Sequence, residues 1–234
     1  MDVKIYTAAA EATRVGLYDA YLAVRHRFHE GNPPEHVALV LTERDLLADG
    51  AFDTLTSALQ WALEYGATRV TVSVSVLDAA VVSTLTRELR RLDTPAPAVV
   101  RDPNDVAAAD ESTDAADRTS LGDRTPADAP IRIVVGLGGK AEFAAAVRDI
   151  AVDVDAGRLD PHAIDATDIT DRLVFPEEPD LVIKTGAERL SDFAIWQSVY
   201  AELYFTDVNW RDFRKRDYLR AVLDFQDRQR RFGR

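Results

Sequence analysis

The chain has no cysteine, a single methionine and no long apolar run. Without cysteine it has no disulfide, no thiolate metal site and no cysteine nucleophile. No apolar run approaches the ~20 residues that span a bilayer, and the first residues, MDVKIYTAAAEATRV, lack the segments of a secretory signal. Hydrophobic residues nevertheless make up 47% of the chain, enough for a core. We therefore expect a folded cytoplasmic protein.

Positive charge is also scarce. The net charge is −12, so the surface as a whole should repel nucleic acid and anionic membranes. Few lysines and an excess of Asp are typical of halophilic proteins, because high salt screens the self-repulsion of an acidic fold. The C-terminal segment RDFRKRDYLRAVLDFQDRQRRFGR is basic instead, which indicates that something anionic is held there.

Hydrophobic periodicity predicts alternating strands and helices. The predicted strands are HVALVL, RVTVSVSV, IRIVV, DLVI and LYF, with a brief apolar run at AVVR. The predicted helices carry the apolar sets Leu17, Tyr21, Val24 and Phe28; Phe52, Leu55, Leu59 and Ala62; Val81 to Leu92; Phe143, Val147 and Ile150; His162 to Leu173; Asp192 to Tyr200; and the C-terminal segment. This alternation predicts an α/β fold with a mainly parallel central sheet flanked by helices. Ligands bind such sheets beyond the carboxyl ends of the strands.

The chain is predicted to form a single domain over residues 1–234. Between residues 102 and 130 the composition shifts to Asp, Ala, Pro, Ser and Thr with few large apolar residues. Such a composition cannot bury enough apolar surface to order itself. We interpret 102–130 as a flexible acidic insertion, and a solvated loop is favoured over a binding tail.

Two motifs give weak signals. GLGGKA places Gly136, Gly138 and Ala141 at dinucleotide-binding spacing, but Asp155 stands in a predicted helix end rather than at the end of a second strand. His26 and His29 lie one helical turn apart and could share a metal ion. Because no third ligand is evident, a solvated helix face is favoured.

The segment DLVIKTGAERLSDFAIWQSVYAELYF combines unlike features after a predicted strand. Lys184 and Arg189 flank a Thr-Gly turn, and Ser191 stands at a predicted helix start, an arrangement that could bind an oxyanion. Glu202 could hold a divalent cation bridged by the same phosphate. In the alternative interpretation Ser191 only caps the helix, and the aromatic residues at 196 and 200 are core.

These residues closely resemble the signature of the cis-prenyltransferases, the undecaprenyl and dehydrodolichyl diphosphate synthase family, and RRFG resembles the family's terminal R-x-G element. The resemblance implies the cis-prenyltransferase fold and isoprenoid diphosphate substrates. It implies that the diphosphate of isopentenyl diphosphate contacts Lys184, Arg189 and Ser191. It further implies that Glu202 helps to hold Mg²⁺, and that Arg231 and Gly233 reach across a dimer interface toward the partner's diphosphate site.

The chain departs from the family pattern at the first strand. Where the family has D-G-N-[GR]-R-W, this chain has TERDLL, with Thr42 in the place of the Mg²⁺-binding aspartate. Only Glu43 or Asp45 could substitute. The G-H-x-x-G element is absent, and the F-S-x-E-N-W loop is SVLDAA. Losing about 4 kcal/mol of metal catalysis would slow the chemistry roughly a thousandfold.

The resemblance therefore implies a non-catalytic subunit of a heteromeric polyprenyl diphosphate synthase that makes glycan carrier lipid such as dolichol. In this pseudoenzyme hypothesis a catalytically intact homologue is the partner, and the dimer forms around residues 196–216. Two alternatives remain open: a divergent active transferase, for instance a homodimer, that uses Glu43 or Asp45 for Mg²⁺, and a non-enzymatic prenyl diphosphate binding protein. A peripheral membrane contact is a further expectation.

Overall fold

A computed structural model describes residues 16–103, 105, 129–186 and 196–232, with side chains up to residue 228. The six strands are β1 (His36–Thr42), β2 (Arg69–Ser75), β3 (Ala98–Arg101), β4 (Ile131–Val135), β5 (Leu181–Thr185) and β6 (Glu202–Thr206). The helices are α1 (16–27), α2 (Glu43–Leu46), α3 (Ala51–Glu64), α4 (Val82–Arg90), α5 (Gly139–Asp155), α6 (Ala166–Thr170) and α7 (Lys215–Phe232).

The strands form one sheet in the order β3-β4-β2-β1-β5-β6, and every neighbouring pair is parallel. This confirms the predicted α/β class. The brief run AVVR, for which no strand was predicted, forms the edge strand β3. Because all strands run the same way, their carboxyl ends share one edge, where a ligand site is expected.

The two faces of the sheet differ in character. One face carries the main apolar core, in which alternate residues of β1, β2 and β4 pack against α3, α4 and α7. Its largest side chains, Trp210, Phe213 and Tyr218, are fully buried, and the indole nitrogen of Trp210 donates to the Ala51 carbonyl at 3.1 Å. The opposite face buries polar side chains instead: Thr71, Ser73, Arg132 and Lys184.

Helix α1 does not bury the apolar stripe that its sequence pattern indicates. The residues that define its apolar stripe are exposed, while Leu22 on the other side is buried against Leu219 and Leu223 of α7. His26 and His29 are not on a solvated face. Their ring nitrogens lie 3.0 Å from side-chain oxygens of Gln226 and Asp227, both on α7.

Two predicted helices are corrected. The helix predicted over 162–173 is only α6, which begins after Asp165 because this side chain forms a capping box with Asp168. Residues 196–200 form turns rather than the end of a helix, and the remainder of that predicted helix lies outside the described residues. Tyr200 is 82% exposed, so it is not a core residue, whereas Trp196 is partly buried.

The predicted insertion is ordered at both ends. Asp102 is buried, and its carboxylate accepts from the Asp105 amide at 3.2 Å while the Asp105 carboxylate accepts from the Asp102 amide at 2.9 Å. Ala129 is also buried, next to the start of β4. Residues 106–128 lie outside the described residues, so the flexible insertion at about 102–130 stays a prediction.

Candidate diphosphate site

The two stretches that sequence analysis singled out lie side by side at the carboxyl edge of the sheet. Strand β1 pairs with β5, with Val40 opposite Lys184. In this register Thr42 comes level with Gly186, because both lie two residues further along. The edge therefore brings together the TERD stretch after β1 and the KTG stretch at the end of β5.

Lys184 is the central residue on the β5 side. It is 5% exposed, and among the described residues its ammonium group makes a single long hydrogen bond, 3.5 Å from Nζ to the Thr185 carbonyl. Within the described part of the chain no carboxylate oxygen lies within 4.0 Å of this ammonium group. A buried cation without an anionic partner is costly, because burial removes its hydration. Lys184 therefore offers a strong charge-assisted donor to an anion.

The Thr-Gly turn next to Lys184 has a special backbone. Gly186 has a φ of +84°, in the left-handed region that favours glycine, and its amide donates to the Thr206 carbonyl at 3.0 Å. The hydroxyl of Thr185 is buried and has no hydrogen-bond partner within the described residues. This left-handed turn lies at the same edge of the sheet as Lys184.

The β1 side is built as a helix cap. Thr42 precedes α2, and its hydroxyl accepts from the Asp45 amide at 3.3 Å and donates to Asp45 Oδ2 at 2.8 Å. The same carboxylate oxygen accepts from the Thr42 amide at 2.8 Å. This reciprocal capping box stabilises the first turn of α2. Asp45 therefore already has a structural task.

Glu43 links the ends of two neighbouring strands. Its Oε2 accepts from the amides of Leu77 and Asp78, at 3.0 Å and 3.3 Å, just after β2. Like Asp45, it uses one carboxylate oxygen to satisfy backbone donors at this edge. These contacts join residues 34 and 35 positions apart, which sequence spacing could not reveal.

The carboxylates at the end of β1 are only partly available to a Mg²⁺ ion, because one oxygen of each already accepts from backbone amides. Mg²⁺ takes oxygen ligands in near-octahedral geometry, usually one or two carboxylates together with substrate phosphate and water. Both nearby carboxylates, Glu43 and Asp45, are engaged by backbone amides. Nowhere in the described ranges do three or more His, Cys, Asp or Glu side chains form a group that could hold a metal ion.

Glu202 lies at the amino end of β6, away from the carboxyl ends of the strands. It begins β6 opposite Leu181, three residues before the level of Lys184, or about 10 Å along the strands at ~3.3 Å per residue. Its carboxylate accepts from Arg228 Nη1 at 2.8 Å. Within one chain it is therefore not brought beside Lys184. The other predicted residues, Arg189, Ser191 and Gly233, and the side chain of Arg231, lie outside the described part.

The weak dinucleotide motif is not supported by the position of its acid. The turn after β4 has a Gly136 φ of +70° and leads into α5. Asp155 is the last residue of α5, a helix of 17 residues that is about 25 Å long at ~1.5 Å per residue. The acid therefore lies at the far end of the helix from the glycine turn.

A polar cavity on the second face of the sheet was missed by sequence reasoning. It measures about 30 Å³, enough for a water molecule or two, and its polar lining includes His36, Thr71, Ser73, Glu142 and Gln197. His36 Nε2 lies 2.8 Å from the Thr71 hydroxyl, and burial lowers the pKa of His36. Apart from Thr71 and Ser73, which share β2, these residues are 35 to 161 positions apart in sequence, so spacing gave no signal.

Glu142 and Gln197 form the centre of this cavity wall. Burial raises the pKa of Glu142, although its carboxylate accepts from the Val174 amide at 2.8 Å and from Gln197 Nε2 at 3.3 Å. Gln197 Nε2 also donates to the Phe175 carbonyl at 3.2 Å. These bonds connect α5 to Gln197, which belongs to the segment that resembles the family signature.

A second cavity is an open groove of about 680 Å³ between α3 and α4. Most of its lining residues are polar or charged. The lining consists of Phe52, Asp53, Thr56, Ser57, Glu88, Arg91, Leu92 and Asp93. Leu85 and Leu89 of α4 pack into the main core and are 2% and 1% exposed. Because these apolar side chains of α4 face the core, the open groove between α3 and α4 is lined mainly by polar and charged side chains.

Fold and edge geometry define a class: a parallel α/β protein with a cationic strand end where an anionic ligand would bind. The family model for putative undecaprenyl diphosphate synthase matches residues 104–233, more than half of the chain. The chain belongs to this family.

Several curated relatives are similar over somewhat less than half of the chain. The tritrans,polycis-undecaprenyl-diphosphate synthase (geranylgeranyl-diphosphate specific) of Methanopyrus kandleri is 50% identical over 107 residues, which cover 44% of this chain and 40% of that protein. Isoprenyl transferase 1 of Streptomyces coelicolor is 43% identical over 102 residues, covering 42% of this chain and 37% of that protein. The similar segment thus spans about 40% of the length of these relatives.

Structural similarity extends further along the chain. Lavandulyl diphosphate synthase from Lavandula x intermedia matches with a TM-score of 0.61 and 21% identity, covering 83% of this chain and 95% of that one. A probable undecaprenyl diphosphate synthase from Campylobacter jejuni gives a TM-score of 0.60 and 20% identity, covering 87% and 100%. At this identity the likeness shows the shared fold. Strands β1, β2 and β3 lie outside the family-model match.

Proposed function

We propose that this chain binds the diphosphate of isopentenyl diphosphate at the end of β5 but does not by itself catalyse prenyl transfer. In this proposal it is the non-catalytic subunit of a heteromeric polyprenyl diphosphate synthase for glycan carrier lipid. The observation that carries the proposal is the contrast at one sheet edge. Lys184 has no carboxylate partner among the described residues, while Glu43 and Asp45 are engaged by backbone amides.

Two further observations support the absence of a functional site for the allylic diphosphate in this chain. The position that the resemblance assigns to the Mg²⁺-binding aspartate is Thr42, and this residue serves as the cap of α2. A growing isoprenoid chain requires an apolar channel, whereas the groove between α3 and α4 is open and carries charged side chains. In the proposed complex an intact homologue supplies both the Mg²⁺ site and the chain-binding channel.

The test is isopentenyl incorporation with Mg²⁺ and a short allylic diphosphate, in buffers from low to high salt. The protein is assayed alone, then mixed with a homologue from the same cell that has an intact D-G-N-R-R-W loop. We expect no product from this chain alone and stimulation in the mixture. Deleting residues 231–234 should abolish the stimulation, because the resemblance implies that this tail completes the partner's site.

Two outcomes would replace this proposal. Product formed by the chain alone, and lost on Glu43→Gln or Asp45→Asn substitution, would identify a divergent active synthase. Diphosphate binding without stimulation of any homologue would identify a binding protein. Loss of diphosphate binding altogether would remove the basis of all three assignments.

A further inference from the structure

Three consecutive polar residues hold α7 near its end. Among the described side chains, Phe225 is the last residue of α7 in the main core. The next three residues, Gln226, Asp227 and Arg228, each contact another element of the fold. We call these three residues the tail clamp, because they shortly precede the C-terminal tail at residues 231–234.

Gln226 joins α7 to the end of α1. It is 1% exposed, and its Nε2 donates to the Gly31 carbonyl at 2.7 Å. Its Oε1 lies 3.0 Å from His26 Nδ1. Because the carbonyl can only accept, the amide orientation of Gln226 is fixed, and His26 must donate from Nδ1. A buried polar group that is satisfied at both ends favours one arrangement of the helices it joins.

Asp227 makes a second connection to the same region. One of its carboxylate oxygens pairs with Arg25 at 3.0 Å, and the other lies 3.0 Å from His29 Nε2. The second ring nitrogen of His29 accepts from the Gly31 amide at 3.0 Å. Nε2 therefore carries the hydrogen and donates to Asp227. Helix α1, the glycine that follows it and α7 thus share one hydrogen-bond network.

Gly31 brings the two backbones into direct contact. A Cβ at this position would lie 2.8 Å from the carbonyl oxygen of Gln226, closer than real Cβ atoms approach. Any side chain at position 31 would therefore push the end of α7 away. Gly16, at the start of α1, has no atom within 4 Å of a Cβ placed on it. The close approach is thus a specific feature of the clamp.

Arg228 connects α7 to the sheet. Its Nη1 donates to Glu202 at 2.8 Å and to the Leu203 carbonyl at 3.4 Å, both on β6. Its Nη2 pairs with Asp224 at 2.8 Å, one turn earlier on α7. Partly exposed ion pairs contribute little to stability. Their value here is geometric, because they hold the end of α7 to β6 while the two preceding residues hold it to α1.

We propose that the tail clamp consists of positioning residues, which set the direction in which the chain leaves α7. Chain ends are poorly ordered unless other elements hold them. Any tilt at the end of α7 is carried to the residues that follow, so the clamp lets Arg231 and Gly233 reach the partner's diphosphate site. The role of the tail rests on the proposed function, whereas its direction can be measured independently.

The first test is stimulation of the intact homologue. Gly31→Ala and Gln226→Leu should each reduce stimulation roughly tenfold or more, because small misplacements far from the chemistry are costly. The matched control Gly16→Ala should stimulate as wild type. All three isolated variants should bind isopentenyl diphosphate as wild type. Lys184 lies at the carboxyl edge of the sheet, whereas the clamp contacts the amino end of β6.

The second test measures the direction of α7 without any ligand. The chain has no cysteine, so Leu77→Cys with Gln229→Cys accepts one nitroxide label at each position. Leu77 is 85% exposed and lies outside the clamp. Electron spin resonance should give one narrow distance distribution for this double variant. Adding Gly31→Ala or Gln226→Leu should broaden or shift the distribution, and adding Gly16→Ala should not.

Thermal unfolding of each variant establishes that the fold is retained. A broad distribution without clamp substitutions, or an unchanged one in both clamp variants, overturns the proposal. It is also overturned if both clamp variants stimulate as wild type while deletion of residues 231–234 abolishes stimulation, a result that leaves the proposed function intact. Wild type that stimulates no homologue would instead remove the proposed function, and the label distances would still decide whether the clamp directs α7.

Discussion

The ends of β1 and β5 are neighbours on one sheet, yet they use their polar residues in opposite ways. At the end of β1, Thr42, Glu43 and Asp45 satisfy backbone amides and one another. At the end of β5, Lys184 is buried with a single long hydrogen bond to a carbonyl. Within the described residues, the polar groups at the end of β1 satisfy one another, while Lys184 at the end of β5 has no carboxylate partner.

The two halves of the chain also differ in their match to the family model. The family model matches from residue 104 onward, so it includes β4, β5 and β6 but none of the first three strands. The structural neighbours cover more than four fifths of the chain. The N-terminal half thus shares its fold with these neighbours, while the family model matches the C-terminal half.

Replacing Lys184 should have the largest effect. A charge-assisted hydrogen bond to phosphate contributes about 1.5–3 kcal/mol, so Lys184→Met should weaken isopentenyl diphosphate binding roughly ten- to hundredfold. Calorimetric titration measures this. The control is Lys215→Met, because Lys215 is paired with Glu64 at 3.2 Å on the surface and should leave affinity unchanged. Equal affinity in wild type and Lys184→Met would remove the contrast between the strand ends.

Removing the cap at the end of β1 should affect stability but not binding. Thr42→Ala breaks the capping box and should lower the free energy of unfolding by about 1 kcal/mol. Asp165→Ala breaks the corresponding box of α6 and provides a matched comparison. Urea unfolding gives the stability, and titration with isopentenyl diphosphate should be unchanged. A large loss of affinity in Thr42→Ala alone would show that this strand end also binds the ligand.

Glu43→Gln should have a smaller effect on stability. The variant keeps an acceptor for the amides of Leu77 and Asp78 but loses the charge, which we expect to cost about 0.5–1 kcal/mol. Isopentenyl incorporation by the mixture with an intact homologue should remain at the wild-type rate. If incorporation fell sharply while stability was unchanged, Glu43 would be a metal ligand after all.

The smallest effect expected is a pH dependence from Glu142. Burial raises the pKa of this carboxyl in the folded protein above its value in the unfolded chain, which is 4.5. The group therefore contributes stability below that pH, and this contribution is lost as the pH rises through the folded pKa. Relative to Glu142→Gln, the wild type should lose stability above pH 4.5. A difference between the two unfolding free energies that stays constant across this range would contradict the assignment.

Periodicity predicted the fold more successfully than the state of the site. The continuous apolar run HVALVL and the β-branched, alternating run RVTVSVSV correctly indicated strands, because these patterns lie in neighbouring residues of the sequence. Periodicity correctly indicated the apolar stripe of α1 but could not show that nothing among the described residues covers it. The engagement of Glu43 and the cavity at Glu142 depend on residues far apart in sequence, which only the folded chain brings together.

The most direct measurement is the number of diphosphates that one chain binds. The isolated protein is saturated with isopentenyl diphosphate in a calorimeter and then titrated with dimethylallyl diphosphate in the presence of Mg²⁺. With one site at β5 and a closed cap at β1, we predict one equivalent of isopentenyl diphosphate and no additional site for the second ligand. Binding of a second equivalent, with both diphosphates held at once, would contradict the account by showing that the allylic half of the site is intact.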